Sequence, residues 1–439
     1  MTQKIHELGL FAMAQAVASG RLSSVDLVRA CLERIAEREP QVRAWVHLDQ
    51  DAALARARQL DQTTASGPLH GVPLAVKDII DTADMPTGCG SSIYADRRPV
   101  WDASCVALAR RSGALVLGKS VSTEFAYFSP GLTANPHNLG HTPGGSSSGS
   151  AAAVADFMVP AGFGTQTAAS VTRPASFCGV VGYKATHGDF SLAGIKPFAP
   201  SLDSLGSLTR SVLDAQWLRW ALTGERRDPE GAVATSAPRI GLCRTPSWEH
   251  ADVDARDALE DAARRLSAAG AAVSEAVLPA AFSELVQQQK TVMAFEAANS
   301  LAFEYDQHQA RLSPQLRQLI EDGMRISRGD YRAALQAAHA ARHSLEEWMR
   351  PWDVLIAPSA PGAAPAGLQA TGDPLFSRMW TLLGVPSVSL PAAKARNGMP
   401  VGVQLIGAYA ADEELLAVAR WAEKALGLES SSAIAHALS

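Results

Sequence analysis

Chemistry is concentrated in one stretch of this sequence, His141 to Lys184. It holds three neighbouring serines (Ser146, Ser147 and Ser148), an isolated Ser170 in a small-residue turn, and almost no charge. Such a composition suits close backbone approach to a substrate better than it suits a surface linker. Upstream, Lys77 sits inside an apolar run, Val72 to Ile80, where a lysine is costly unless it is neutral or paired. Two readings of that lysine stand open. Either Asp78 marks the end of a strand and Lys77 is solvated, or Lys77 points into a functional cleft; taken alone, the residue favours the first. A desolvated lysine can be neutral near physiological pH, a serine between it and a nucleophile can relay a proton, and backbone N–H groups of small-residue turns can hold an oxyanion. Those parts suffice for amide hydrolysis without a histidine.

Competing chemistries are weaker. GSSSG, Gly145 to Gly149, matches a GxSxG elbow with Ser147 as nucleophile, but that elbow must follow a strand and the preceding HNLGHTPG is made of turn formers. A phosphate loop of the form GxxxxGK[ST] is absent, and GCGSS at Gly88 lacks the third glycine of a dinucleotide fingerprint. His137 and His141 are four apart, yet Pro136 and Gly140 break the helix that would make them a metal pair. The five cysteines form no CxxC, which points to a reduced, cytoplasmic setting. No cofactor or metal is expected.

The elements that must position these groups alternate in the manner of an α/β fold. Ser23 precedes a helix with Asp26 in its first turn, and Gln50 to Leu60 forms a second helix; both read as outer packing helices. Leu8 to Gly20 is apolar, but Glu7 and Gln15 favour an amphipathic helix over a signal peptide. Val72 to Ile80, Ala114 to Lys119, Arg239 to Cys243 and Ala271 to Leu278 read as strands, as do Asp353 to Ser359, Ser387 to Ala392 and Pro400 to Gly407. Helices are predicted over Cys105 to Arg111, Ala255 to Ala268 and Asp412 to Ala425. Phe282 to Met349 is mostly helical, broken near Ser313 and Gly329, and suits a lid or a substrate wall. Tyr127 and Phe128, in a long loop, are pocket candidates, as are Met379 and Trp380.

Of 439 residues, 47% are hydrophobic and 19% charged, so the chain can bury a sizeable core. A net charge of −5 with dispersed Lys and Arg argues against nucleic-acid or membrane-surface partners.

GVPLAVKD at Gly71, GGSSSGSAAAVA at Gly144, GTQTAASVTRPASFCGVVGYKAT at Gly164, DVLIAPS at Asp353, and the GVPSVSLPA and PVGVQLIG blocks resemble the amidase signature family in its own order. The resemblance covers nearly the whole chain. It implies an α/β fold with a large mixed β-sheet core flanked by helices on both faces (α/β/α), built as a single amidase domain over 1–439. Packing helices would occupy about 1–62, the signature core about 63–240, a helical substrate-side block about 282–349, and core strands about 350–439. By the family's Ser–cis-Ser–Lys triad, the resemblance implies Lys77 as base, Ser146 as relay serine with a cis peptide bond, and Ser170 as nucleophile. The N–H groups of Thr167, Ala168, Ala169 and Ser170 would form the oxyanion hole, Ser147 and Ser148 would support the turn, and Arg173 would brace it or approach a polar substrate.

One departure stands out. Where the family reads GTDTGGS, this chain has Gln166 for the aspartate and Ala168-Ala169 for the glycines. Alanine does not take φ > 0 cheaply, so the turn either never needs that conformation or is strained. The expected function is cleavage of a small carboxamide, a small-molecule substrate, with room for a homodimer. One alternative is the glutaminase subunit of a tRNA-dependent amidotransferase, although its glutamine-binding segments are not recognised in Phe282 to Met349. The other is a catalytically silent protein keeping the fold, which Ala168-Ala169 favour slightly and the intact Lys77, Ser146 and Ser170 oppose.

Overall fold

The computed structural model describes residues 4–225, 233–234 and 236–428. Those parts of the sequence-derived segments that fall at 1–3, 226–232, 235 and 429–439 lie outside the described residues. Eleven strands form one mixed sheet: β1 (Trp45–Leu48), β2 (Pro73–Lys77), β3 (Leu115–Ser120), β4 (Ala161–Gln166), β5 (Val181–Lys184), β6 (Ser204–Thr209), β7 (Arg239–Leu242), β8 (Ala272–Glu275), β9 (Val354–Pro358), β10 (Ser387–Lys394) and β11 (Pro400–Ile406). Their order across the sheet is β1-β3-β2-β4-β6-β5-β10-β11-β9-β7-β8. β2 runs parallel to both β3 and β4, whereas the middle of the sheet, from β4 through β9, is antiparallel.

The sheet has a core on each face because side chains alternate along a strand. On β9, Val354 and Ile356 pack into one apolar cluster while Leu355 and Ala357 pack into the other. Fourteen α-helices among the described residues complete the fold. The helix predicted after Ser23 runs from Ser24 to Val42, and the Ser23 side chain accepts from Asp26 N at 3.0 Å while Ser23 N donates to Asp26 Oδ2 at 2.9 Å. This is a reciprocal cap.

Four strands, β1, β4, β5 and β6, are not among those expected from the sequence, and β4 and β6 show one reason. Their sequences, AGFGTQ and SLGSLT, are rich in glycine and serine, which normally weaken a strand. Here the missing side chains make room for neighbours. A Cβ on Gly164 would lie 2.8 Å from Ser147 Oγ, so β4 has to be bare where the serine loop crosses it.

Candidate active site

β2 delivers Lys77 as its last residue. Asp78 does end the strand, its carboxylate accepting from the N–H groups of Gly88 and Gly90 at 3.0 and 3.2 Å. Of the two readings of Lys77, the solvated one does not hold: the side chain is 0% exposed. Its Nζ lies 2.7 Å from Ser146 Oγ, 2.8 Å from Thr165 Oγ1 and 3.5 Å from the Thr165 carbonyl oxygen. Burial pushes the Lys77 pKa down to about 7, and the Asp203 carboxylate pulls the other way.

Ser146 stands in the loop between Thr142 and the helix Ser148–Ala155, and the Gly145–Ser146 peptide bond is cis. Both flanking carbonyls are held, Gly145 O by Arg173 Nη2 at 2.6 Å and Ser146 O by Thr123 N at 3.3 Å. Ser147 joins this loop to the next: its N–H donates to Ser170 O at 3.3 Å and its Oγ lies 3.4 Å from both Thr165 N and Thr165 O. Ser148 Oγ reaches Val121 O at 3.4 Å. These two serines bond to backbone.

The turn carrying Ser170 leaves the end of β4 and enters the helix Thr172–Cys178. Gln166, wholly buried, organises it. Its Oε1 accepts from Val171 N at 2.9 Å and Thr172 N at 3.1 Å, while its Nε2 donates to Thr381 Oγ1 at 3.0 Å. Thr381 Oγ1 in turn donates to Ala168 O at 2.8 Å. An aspartate could accept from the same N–H groups but could not donate to Thr381, so the amide gives the turn one more anchor. Thr167 is held on two sides, its Oγ1 donating to Asp203 Oδ1 at 2.6 Å and its carbonyl accepting from Gln289 Nε2 at 3.0 Å. Burial raises the Asp203 pKa to about 6. Neither Ala168 nor Ala169 has φ > 0, so the glycine pair is not needed for backbone conformation here. The N–H groups of Thr167, Ala168, Ala169 and Ser170 donate to no protein acceptor among the described residues.

Gln166→Ala strands the N–H groups of Val171 and Thr172 in a buried turn and removes the bond to Thr381, and is expected to lower stability by about 2–3 kcal/mol. Thr381→Val should cost about 1 kcal/mol. Urea unfolding of both variants checks this order, and a loss below about 0.5 kcal/mol in Gln166→Ala would remove the anchoring role.

Ser146 and Ser170 open onto one cavity. Tyr127 and Phe128 form part of its wall; Tyr127 stacks on Phe198 with ring centroids 5.5 Å apart. Arg173, also in the wall, donates to Gly145 O, Gly372 O and Thr371 Oγ1, so its bracing contacts are to the loop itself. Met379 and Trp380 are not in the cavity. They lie on the helix Leu375–Leu382 but turn into the apolar core, 3% and 0% exposed. Successive helical residues are rotated by about 100°, and the face toward the site carries Pro374, Arg378 and Thr381 instead. The helical block contributes Met293 to the wall and Gln289 behind it, both from the helix Leu285–Ser300. His137 Nε2 and His141 Nδ1 each face a backbone carbonyl, of Cys178 and Ala364 respectively.

Known proteins resemble this chain in both sequence and fold. The family model described as Amidase matches residues 26–416. The A-type subunit of the glutamyl-tRNA(Gln) amidotransferase of Solidesulfovibrio magneticus is 34% identical over 464 aligned residues, which cover 92% of this chain and 94% of the relative. Among solved structures, a crystal structure of an amidase is similar at a TM-score of 0.87 and 32% identity, over 95% of this chain and 99% of that one. The peptide amidase in complex with the competitive inhibitor chymostatin is similar at 0.80 and 29%, over 95% and 97%. A family match of that length, on a sheet shared almost end to end with a solved amidase, makes this chain a member of the amidase signature family.

Proposed function

We propose that this protein is an amidohydrolase that cleaves a small carboxamide to a carboxylate and ammonia or an amine, through an acyl-enzyme on Ser170. The observation that carries the reading is the 2.7 Å contact between a fully buried Lys77 Nζ and Ser146 Oγ, beside the cavity that Ser146 shares with Ser170. A neutral lysine has two hydrogens and one lone pair. With its hydrogens donated to Thr165 O and Thr165 Oγ1, the lone pair is left to accept the Ser146 hydroxyl.

As Ser170 Oγ attacks the amide carbon, its proton passes to Ser146 Oγ while the Ser146 proton passes to Lys77 Nζ. The carbonyl oxygen, now negative, is met by the unclaimed N–H groups of Thr167 to Ser170. Collapse breaks the C–N bond, with the proton returning through Ser146 to the leaving nitrogen. Water then attacks the ester by the same relay and releases the carboxylate. The chemistry draws on protein groups and a small-molecule substrate, and needs no nucleic acid or membrane. All five cysteines are free thiols, in keeping with a reducing, cytoplasmic setting.

A fluorophosphonate probe is expected to label Ser170, located by peptide mass spectrometry. Label on Ser147 instead would sink the assignment and restore the GxSxG elbow. The glutaminase reading is favoured by the amidotransferase relative described above. It is opposed by the cavity, whose lining residues include no carboxylate to meet the ammonium of glutamine. Copurification with a partner chain would favour it.

A further inference from the structure

Two guanidinium groups and no carboxylate line the active-site cavity. The two cations are not alike. Arg173 donates through both Nη atoms to Gly145 O, Gly372 O and Thr371 Oγ1, all parts of the loops that frame the site, and only its Nε is buried without a partner. Arg378 is only 6% exposed, and its Nη1 donates to Gln289 Oε1 at 2.5 Å. Its Nε and Nη2 have no protein acceptor among the described residues. Asp373, whose field reaches both arginines, is exposed and its Oδ1 accepts from Leu375 N at 2.9 Å. A desolvated cation whose partners, Gln289 Oε1 and the Met293 sulfur, are both neutral is costly unless an anion completes it.

We propose that Arg378 receives a carboxylate at the far end of the substrate, so that the site selects small ω-amides of dicarboxylic acids over neutral amides. This rests on the amidohydrolase reading of the same cavity. The planar fork of arginine matches a carboxylate in two parallel hydrogen bonds, a match that a lysine does not offer. Its orientation is fixed by the side chain that also fixes the oxyanion turn: Gln289 accepts from Arg378 through Oε1 and donates to Thr167 O through Nε2. The anion would therefore be held in register with the scissile carbonyl. Phe128, Tyr127 and Phe198 line the same cavity, and their apolar faces lower the local dielectric around such a pair.

Matched substrates test this directly. Succinamate should exceed butyramide in kcat/KM by about 10²-fold, as should glutaramate over valeramide, since a site built for a charged hydrogen-bonded group rejects the analogue lacking it. In Arg378→Gln the ratio should fall below about 5-fold, and Arg378→Lys should keep an intermediate ratio of about 10-fold. Each ratio is taken within one protein, so the fraction folded cancels. Matched pairs hydrolysed alike by the native enzyme, or a ratio unchanged in Arg378→Gln, would overturn the proposal. Succinate binding, followed by calorimetry on Ser170→Ala protein, needs no turnover. It should weaken by about 10-fold or more when Arg378→Gln is added, and equal affinity would overturn the role of Arg378 whatever the reaction. Failure of every amide to react, with no fluorophosphonate label on Ser170, would instead remove the amidohydrolase reading and leave the succinate result to judge Arg378.

Discussion

Lys77→Ala is expected to lower kcat/KM by roughly 10⁴-fold and to erase the ascending limb of its pH profile. In the intact protein, burial holds the Lys77 pKa at about 7, well below its ordinary 10.5. Below that pH the amine carries a proton and has no lone pair for Ser146. The neutral fraction, and with it the acylation rate, then rises about tenfold per pH unit and levels off above the pKa. Asp203 gives the assignment a second handle, because its negative charge raises the Lys77 pKa. Asp203→Asn removes that charge and should move the limb to lower pH. Measuring kcat/KM from acid to alkaline pH for the three proteins separates the cases. An identical limb in Lys77→Ala would end the role of this lysine as base.

Ser170→Ala should cost roughly 10⁴-fold or more in kcat, because it removes the hydroxyl on which the proposed acyl-enzyme forms. The informative partner is Ser147→Ala. Ser147 Oγ makes only two long contacts to Thr165, at 3.4 Å, so its removal loosens the loop without taking part in bond formation. Hydroxylamine trapping of the acyl-enzyme reads the difference: hydroxamate should form in Ser147→Ala and be missing in Ser170→Ala. The opposite pattern would move the nucleophile to the elbow.

How much of the fold and site is legible in the sequence depends on whether the signal is local. Lys77 stands out because a charge interrupts an apolar strand. The same logic applies to Arg378, the one charge in LFSRMWTL, yet its bulkier neighbours Met379 and Trp380 dominate that segment as pocket candidates, and the helical rotation turns them into the core. β4 and β6 escape because strand propensity is judged on side chains, and theirs are absent to admit the crossing loop and helix. Ala168-Ala169 look like a defect beside a glycine pair, and the negative φ values remove that concern. Asp203, Gln289 and Thr381 have no sequence signal of their own. Their relevance comes from contacts across 36, 122 and 213 residues, to Thr167, Thr167 and Ala168 respectively.

The distance between Gln166 and Thr381 along the chain also has a consequence for a protein being made on the ribosome. The two residues that bond across the Ser170 turn are 215 positions apart. At ordinary elongation rates of roughly 5–20 residues per second, the serine turn waits some 10–40 s for the threonine that will latch it. The sheet order deepens the delay, because β5 stays without its β10 neighbour until the C-terminal third has emerged. A nascent chain therefore carries every proposed reacting group long before it carries the means to hold them in place.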